Sequence, residues 1–307
     1  MKIKIGTRKS KLAIIQTKKI EEFLKERGIE TKIIGFTSQG DIDKTSPLWE
    51  IGGKGVFTKH LEKLLIEKKI DIAVHSAKDL PVDLIEGTSL IGVLNREAVQ
   101  DIVVTNNRVD DIKLFLRNKK IATGSLRRTA LLKNIYKSEN VVSIRGNVDT
   151  RLKKLKEKDF DGLIIAKAGV KRLELLDDLF YYELNPESFT PSSGQGYIAV
   201  QGRDGLPNIK ELFLKDINWK IFWVEREILK LLKADCNTPL GVYCRVKDGN
   251  LVVSLNILSI DGSNNIFIEK SVDINDYLRL PKIIFDEFNN KNGFVFMEGI
   301  KEWIEKL

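Results

Sequence analysis

Three predicted strand ends carry arginine together with hydroxyl or amide groups. They are the segments 6–10 (Gly-Thr-Arg-Lys-Ser), 123–128 (Thr-Gly-Ser-Leu-Arg-Arg) and 145–147 (Arg-Gly-Asn), and Arg151 follows in the next predicted helix. Arginine binds carboxylates and phosphates through paired hydrogen bonds, and the start of a helix offers free backbone N–H groups. The repetition of this pattern predicts a site for a polyanion rather than a solvated face.

A carboxylate follows another predicted strand. The strand 70–75 has a buried pattern and runs into His-Ser-Ala-Lys-Asp-Leu-Pro at 75–81. In open α/β sheets, ligands bind at the carboxyl ends of the strands, so Asp79 could stabilise a developing positive charge or transfer a proton there. From position alone Asp83 is almost as good a candidate, and a solvated turn without a function stays equally open.

Cys236 follows a long predicted helix, in the segment Ala-Asp-Cys-Asn-Thr-Pro-Leu-Gly at 234–241. It is a candidate nucleophile, although a small buried hydrophobic residue is the simpler interpretation. Asp235 beside it disfavours a very reactive thiolate. Because Cys244 is the second of only two cysteines, no disulfide framework is predicted.

Several common sites are excluded by their motifs. The run 52–55 (Gly-Gly-Lys-Gly) lacks the first glycine and the final Ser or Thr of a phosphate-binding loop, and no G-x-G-x-x-G or G-x-S-x-G is present. The only histidines are His60 and His75, and neither is near a cysteine in sequence, so no metal site is predicted.

Composition points to a globular protein with anionic partners. The 307 residues are 42% hydrophobic and include 51 Lys and Arg against 43 Asp and Glu, a formal charge of +8. Arginine is the scarcer cation, and five of its 14 copies fall between 127 and 172. No apolar run is long enough for a membrane helix and no secretory signal is seen, so we expect a cytoplasmic protein.

The predicted elements fall into three groups. Strands and helices alternate from residue 2 to 75 and again after about residue 98, which predicts parallel α/β organisation. A stretch rich in Pro, Ser and Gly at 183–196 predicts a hinge or a crossing between domains. After an amphipathic helix at 218–233, grouped strands are followed by helices, which predicts a separate α+β domain of about 90 residues.

Nine motifs in the same order give the chain a specific resemblance. They span about 240 of the 307 residues, and the chain resembles the porphobilinogen deaminase (hydroxymethylbilane synthase) family. The motifs are Gly-Thr-Arg-Lys-Ser (6–10), Thr-Ser-Gln-Gly-Asp (37–41), Gly-Gly-Lys-Gly-Val-Phe (52–57), His-Ser-Ala-Lys-Asp-Leu-Pro (75–81), Gly-Ser-Leu-Arg-Arg (124–128), Arg-Gly-Asn-Val-Asp-Thr-Arg (145–151), Ala-Gly-Val-Lys-Arg-Leu (168–173), Gly-Gln-Gly (194–196) and Cys-Asn-Thr-Pro-Leu-Gly (236–241).

The resemblance implies a transferase of tetrapyrrole (heme and porphyrin) biosynthesis. Such an enzyme joins four porphobilinogen units head to tail, releases ammonia at each addition, and releases 1-hydroxymethylbilane by hydrolysis. The chain grows on a dipyrromethane cofactor held by a thioether, here implied at Cys236, whereas Cys244 has no counterpart role. The family's catalytic aspartate maps to Asp79 and not to Asp83, and we favour electrostatic stabilisation over general-acid catalysis for it.

The resemblance also implies the binding residues. Those for the cofactor are Cys236, Ser10, Lys78, Asp79, Ser125, Arg127, Arg128, Arg145 and Gly146. Those for porphobilinogen and the growing polypyrrole chain are Arg8, Gln16, Phe57, Arg145, Arg151, Arg172 and Gln195. No metal, nucleic acid or membrane partner is implied, and the family is usually monomeric.

The implied fold has two α/β domains of type II periplasmic-binding-protein type around a central cleft, plus a smaller C-terminal α+β domain. We expect domain 1 at 1–97 and 194–216, domain 2 at 98–193, and domain 3, which carries the cysteine, at 217–307. The loop 42–56 is expected to be a lid. Departures from the family pattern include Lys11, Ala234-Asp235, Tyr197 and Gln201.

Two other functions fit parts of the sequence. An anion-binding or sensor protein on the same fold would need the arginines but neither Asp79 nor a cysteine facing the cleft. A nucleic-acid-binding protein would fit the pI of about 9.2, but the lysines are spread over nearly every predicted helix instead of forming one stripe.

Overall fold

A computed structural model of the chain describes residues 2–37, 58–157, 159–206, 209–213, 216–234 and 238–304. Within these residues the strands form two five-stranded sheets and one three-stranded sheet. In chain order the strands are β1 (Ile3–Arg8), β2 (Thr31–Phe36), β3 (Ile72–Ser76), β4 (Thr88–Val93), β5 (Asp101–Thr105), β6 (Ile121–Ala122), β7 (Val141–Val142), β8 (Gly162–Ala166), β9 (Phe180–Glu183), β10 (Ile198–Arg203), β11 (Leu240–Lys247), β12 (Asn250–Leu258) and β13 (Asn265–Asp273).

The two five-stranded sheets have equivalent strand orders. The first is β2-β1-β3-β10-β4 and the second is β7-β6-β8-β5-β9. Each sheet receives one strand just after the chain crosses from the other: β10 pairs antiparallel with β3 and β4, and β5 pairs antiparallel with β8 and β9. The predicted α/β class is confirmed. The predicted parallel organisation is found where β1 pairs with β2 and β3 and where β6 pairs with β7 and β8, whereas the strand that enters after a crossing runs opposite to its neighbours.

Helices connect the strands and cover the sheets. Ser10 caps the first helix by accepting a hydrogen bond from the Ala13 N–H, and the chain leaves that helix near Gly28, whose φ is +75°. No helix in the described part of the chain is long and apolar enough to cross a membrane. The helices are α1 (Lys11–Lys25), α2 (Lys59–Ile66), α3 (Ile112–Asn118), α4 (Leu126–Leu131), α5 (Val148–Lys156), α6 (Lys167–Arg172), α7 (Ile209–Leu212), α8 (Ile217–Leu231), α9 (Leu280–Asn290) and α10 (Gly293–Ile304).

The C-terminal unit is the predicted α+β arrangement. Strands β11, β12 and β13 form an antiparallel sheet that packs against α8 and α9. Its hydrophobic cluster, centred on residues such as Phe222 and Leu255, also takes in Ala77, Leu80 and Tyr197 from the first five-stranded unit. The C-terminal unit therefore shares a core with the segment that follows β3. The domain boundaries given above stay a prediction.

The two crossing segments meet beside α8. The Glu97 N–H donates to the Gly196 carbonyl at 3.0 Å, and a Cβ on Gly196, whose φ is +92°, would lie 2.5 Å from the Glu97 carbonyl oxygen. The fully buried carboxylate of Glu225 on α8 accepts from the Gly194 N–H at 2.7 Å and from Arg96 at 2.8 Å. One side chain of the C-terminal unit thus holds both crossings.

Tyr197 fills the space next to this junction. Its side chain is 1% exposed, its ring centroid lies 5.5 Å from that of Phe222, and the Arg96 guanidinium lies 4.8 Å from its centroid. Its buried hydroxyl has no hydrogen-bond partner among the described residues, and burial raises the pKa of that hydroxyl. The ring therefore contributes packing and the hydroxyl does not contribute a hydrogen bond.

Replacing Tyr197 should separate these two contributions. We expect Tyr197→Ala to lower the free energy of unfolding by about 3–5 kcal/mol, since it leaves a cavity in a shared core. Tyr197→Phe should leave the stability unchanged or raise it, since it removes only the unpaired buried hydroxyl. Urea unfolding of both variants measures the difference, and an equal loss in both would contradict the packing role.

Candidate active site

Asp79 is presented by a short turn at the end of β3. The turn Ala77–Asp79 is a single 3₁₀ turn, closed by a hydrogen bond from the Leu80 N–H to the Ala77 carbonyl at 3.2 Å. Ala77 and Leu80 are buried, whereas Asp79 is exposed. Burial lowers the pKa of Arg151 on α5, and the Asp79 charge partly opposes that lowering, so the carboxylate lies within electrostatic reach of Arg151.

A buried carboxylate that the sequence analysis did not single out organises two of the predicted arginines. Asp101, at the start of β5, accepts from Arg127 Nη2 at 2.8 Å and from Arg128 Nη2 at 2.7 Å. All three side chains are nearly or fully inaccessible to solvent. Burial raises the pKa of Asp101, but the charges of Arg128 and Arg127 outweigh it and hold that pKa below its usual range.

Lys78 and Gln195 link this group to the first sheet. Gln195 donates from Nε2 to Asp101 Oδ1 at 2.9 Å and accepts from Lys78 Nζ at 3.3 Å through its other amide atom. Burial, followed by the charge of Arg128, lowers the pKa of Lys78 to about 8. Lys78 and Gln195, which the resemblance placed in cofactor and substrate binding, therefore lie side by side.

The strand end that carries Arg145, at 145–147, lies beside the strand end that carries Arg127 and Arg128, at 123–128. Gly146 has a φ of +113°, and its carbonyl accepts from Arg151 Nε at 2.7 Å. Burial and the charges of Arg128 and Arg145 lower the pKa of Arg151 to about 10. A Cβ on Gly124 would lie 2.6 Å from the Ile144 carbonyl oxygen, so this glycine permits the close approach of the two strand ends.

Several predicted binding residues already have partners in the protein. Arg127 donates to the Thr190 carbonyl at 2.7 Å as well as to Asp101, and Arg172 donates to the Gly196 carbonyl at 2.5 Å. Ser125 caps α4 by accepting from the Arg128 N–H at 3.5 Å, as Ser10 caps α1. These contacts orient the strand ends; direct contacts of these residues with a ligand stay a prediction.

Other predicted residues line the first sheet or lie outside the described residues. Gln16 on α1 donates to Ser76 Oγ at 3.0 Å, just before the Asp79 turn. The charge of Arg8 lowers the pKa of His75 in β3, although burial is the larger cause of that shift. Cys236, Phe57 and the predicted lid at 42–56 lie outside the described residues.

The arrangement suits a ligand with several carboxylates. Among the described residues whose charges act on Lys78 and Arg151, the cations Arg127, Arg128 and Arg145 outnumber the acids Asp79 and Asp101, and the buried Nη1 of Arg145 has no hydrogen-bond partner there. A buried guanidinium nitrogen without a partner is costly unless an anion satisfies it. Of the two acids, Asp79 is exposed and Asp101 is buried.

The sequence offered only a weak signal for Asp101, Arg96 and Glu225. Asp101 opens the apolar strand Ile-Val-Val-Thr, where an unpaired acid would be costly, so a buried cationic partner could have been sought. Arg96 and Glu225 are 129 residues apart, and nothing in the local pattern connects them.

Comparison with known proteins gives matches over most of the chain. A family model described as "Porphobilinogen deaminase, dipyromethane cofactor binding domain" matches residues 3–211, and one described as "Porphobilinogen deaminase, C-terminal domain" matches residues 219–290. Among solved structures, the periplasmic aliphatic sulphonate binding protein SsuA from Escherichia coli is 11% identical with a TM-score of 0.42, covering 95% of this chain and 87% of that chain.

Curated relatives agree with the family models. Porphobilinogen deaminase from Desulfosudis oleivorans is 40% identical over 272 residues, covering 87% of each chain. Porphobilinogen deaminase from Campylobacter jejuni subsp. jejuni is 35% identical over 311 residues, covering 100% of this chain and 98% of the relative. These matches extend over both five-stranded sheets and the C-terminal unit, and the chain belongs to the porphobilinogen deaminase family.

Proposed function

We propose that this chain is a transferase that joins four porphobilinogen units head to tail, with loss of ammonia at each addition and hydrolytic release of 1-hydroxymethylbilane. The observation that carries the proposal is the group of cations around Asp79, in a chain that belongs to the porphobilinogen deaminase family. Each pyrrole unit bears an acetate and a propionate, so the bound chain becomes more anionic as it grows. Bidentate arginines suit those carboxylates.

The residues fit a dipyrromethane cofactor, because the site combines excess positive charge with a buried Arg145 nitrogen that has no hydrogen-bond partner in the part of the chain that the structure describes. When bound, this group supplies the pyrrole end at which elongation begins. Cys236 is the proposed attachment point, and Ala234, two residues earlier, packs in the same hydrophobic cluster as Ala77 and Leu80 beside Asp79. The other proposed cofactor-binding residues are Ser10, Lys78, Asp79, Ser125, Arg127, Arg128, Arg145 and Gly146.

Asp79 is proposed to act on the substrate. Its exposed carboxylate can accept a hydrogen bond from the pyrrole N–H and stabilise the positive charge that develops as ammonia leaves. Lys78 and Arg151 lie close enough for their pKa values to respond to it, and a carboxylate among cations is a better electrostatic stabiliser than proton donor. The proposed substrate-binding residues are Arg8, Gln16, Phe57, Arg145, Arg151, Arg172 and Gln195.

The anion-binding or sensor alternative is not favoured, because both family models describe porphobilinogen deaminase domains. We further propose that the protein works as a cytoplasmic monomer without a metal ion or nucleic acid. Size-exclusion chromatography with light scattering tests the monomer.

Mass spectrometry of the denatured protein tests the proposed function. We expect an added dipyrromethane on the peptide that contains Cys236, and no such addition in the Cys236→Ser variant. If the purified protein is unmodified, porphobilinogen is added and the mass is measured again. A mass that still does not change, together with no ammonia release, would contradict the proposed function and favour the anion-binding protein.

The lowered pKa of Lys78 predicts how cofactor assembly depends on pH. Lys78 loses its proton near pH 8 in the free protein, and a bound carboxylate would raise that pKa, so binding takes up a proton above pH 8. Assembly on the apoprotein should therefore weaken as the pH rises from about 8 to about 10, the range between its lowered and ordinary pKa. Lys78→Arg should flatten this dependence, and an equal slope in both proteins would contradict it.

A further inference from the structure

The turn that presents Asp79 is held by the C-terminal unit as well as by its own strand. Ala77 and Leu80 flank the exposed Asp79, and both are buried in the cluster built around α8 and β11–β13. The Ala77 N–H also donates to the Tyr197 carbonyl at 3.1 Å, so the start of the turn is tied to the residue that precedes β10. Apolar packing alone sets the position of these neighbours loosely, since it is not directional.

An arginine of the C-terminal unit supplies a directional contact to the other end of the segment. Arg226 on α8 donates from Nη2 to the carbonyl oxygens of Pro81 and Val82, at 2.7 and 2.8 Å. Its half-buried guanidinium lies 5.8 Å from the ring centroid of Phe222, one helical turn earlier. Because the Pro81 ring restricts φ and Arg226 holds the Pro81 carbonyl, the backbone that leaves Asp79 has little freedom.

The helix that carries Arg226 is itself fixed to the rest of the molecule. Glu225, the preceding residue, accepts from the Cys244 N–H at 2.9 Å in β11 and from the Gly194 N–H at 2.7 Å in a crossing segment. Arg96 from the other crossing completes the group at 2.8 Å. Two adjacent residues of α8 therefore reach the crossings on one side and the Asp79 segment on the other.

We infer that Arg226 is a positioning residue for Asp79: it holds the carbonyls of Pro81 and Val82 and so keeps the carboxylate at a fixed place relative to the arginine strand ends. This inference rests on the proposed function, because it assigns Arg226 an effect on a reaction at Asp79. This positioning role requires no contact between Arg226 and the substrate. A displacement of about 1 Å at a reacting group can cost about 10²-fold in rate.

Single-turnover addition of porphobilinogen to the cofactor-loaded protein, followed by intact mass, tests the inference. We expect Arg226→Gln to slow each addition by about 10- to 100-fold while KM changes by less than about 3-fold. Arg226→Lys keeps the charge and one donor, so it should recover part of the rate. If Arg226→Gln folds poorly, the addition rates of Arg226→Lys test the inference in its place.

Arg245→Gln is the matched control. Arg245 is a largely buried arginine of the same C-terminal unit, paired with Glu187 at 3.3 Å and Glu269 at 3.0 Å. Its replacement removes ion pairs with Glu187 and Glu269, neither of which belongs to the Asp79 turn. We expect its addition rates to match those of the unmodified sequence even if its melting temperature falls.

A double-mutant cycle separates positioning from general stability. If Arg226 acts through Asp79, then Arg226→Gln should change the residual rate by less than about 2-fold when Asp79→Asn is already present. The inference is overturned if Arg226→Gln slows the addition equally with and without Asp79→Asn, if it changes KM instead of the rate, or if Arg226→Gln alone reacts at the normal rate. By contrast, if the protein without substitutions never adds porphobilinogen, the proposed function itself is contradicted.

Discussion

Asp79→Asn should lower turnover by about 10²–10⁴-fold while the protein still carries its cofactor or a precursor of it. The asparagine has nearly the same shape, so the buried neighbours Ala77 and Leu80 and the turn they form are expected to persist. The variant loses the negative charge that would stabilise the cationic pyrrole as ammonia leaves. Ammonia release under saturating porphobilinogen measures the rate, and intact mass measures the cofactor.

Asp83→Asn provides the control within the same segment. Asp83 was almost as good a candidate from position alone, and it is also exposed, but it follows Pro81 and Val82, whose carbonyls turn toward Arg226. We expect this variant to retain turnover within about 2-fold, as surface substitutions usually do. Near-normal turnover in Asp79→Asn, or an equal loss in Asp83→Asn, would remove Asp79 from its proposed role.

The sequence predicted the convergence of the arginine strand ends because that convergence follows from a local rule. Strand ends followed by helices meet at one edge of a sheet, so the placement of segments 123–128 and 145–147 next to each other could be expected. The C-terminal unit was predicted for a similar reason, since its strands and helices are grouped in sequence.

What the sequence did not reveal depends on long-range partners. Strands β4, β9 and β10 were not predicted, and the place of β10 in the first sheet depends on pairing with residues more than 100 positions earlier. The contact of Arg127 with Asp101 joins residues 26 positions apart, and the partners of Arg226, Pro81 and Val82, lie 145 and 144 positions away. Residue types and local spacing cannot distinguish such an arginine from one on a solvated helix face.

Asp101 shows that Arg127 and Arg128 have a structural role in addition to the role in ligand binding proposed above. Its carboxylate is fully buried between Arg127 and Arg128, and it also accepts from Gln195. Without it, two guanidinium groups would be buried close together with no counter-charge, and they would repel each other. The anion site therefore depends on an acidic residue that does not need to touch the anion.

Asp101→Asn should lower the free energy of unfolding by about 3–5 kcal/mol, because it leaves two buried arginines without their charged partner. The loss should be larger in the apoprotein than in the cofactor-loaded protein, since the bound carboxylates partly replace the missing charge. Cofactor assembly should also slow, because Arg127 and Arg128 lose the acceptor that orients them. Urea unfolding of both forms at neutral pH measures the effect.

The matched control is Asp71→Asn, which breaks a partly exposed pair with Arg203 at 3.2 Å. Such a pair is worth about 0–1 kcal/mol, so the two aspartates should differ severalfold in effect. The lowered pKa of Asp101 adds a pH signature: its stabilisation is present above the ordinary carboxyl pKa and is lost as the pH falls through the lowered value. Equal losses in the two variants would mean that the buried arginines do not depend on Asp101, and that they are held by main-chain acceptors such as the Thr190 carbonyl instead.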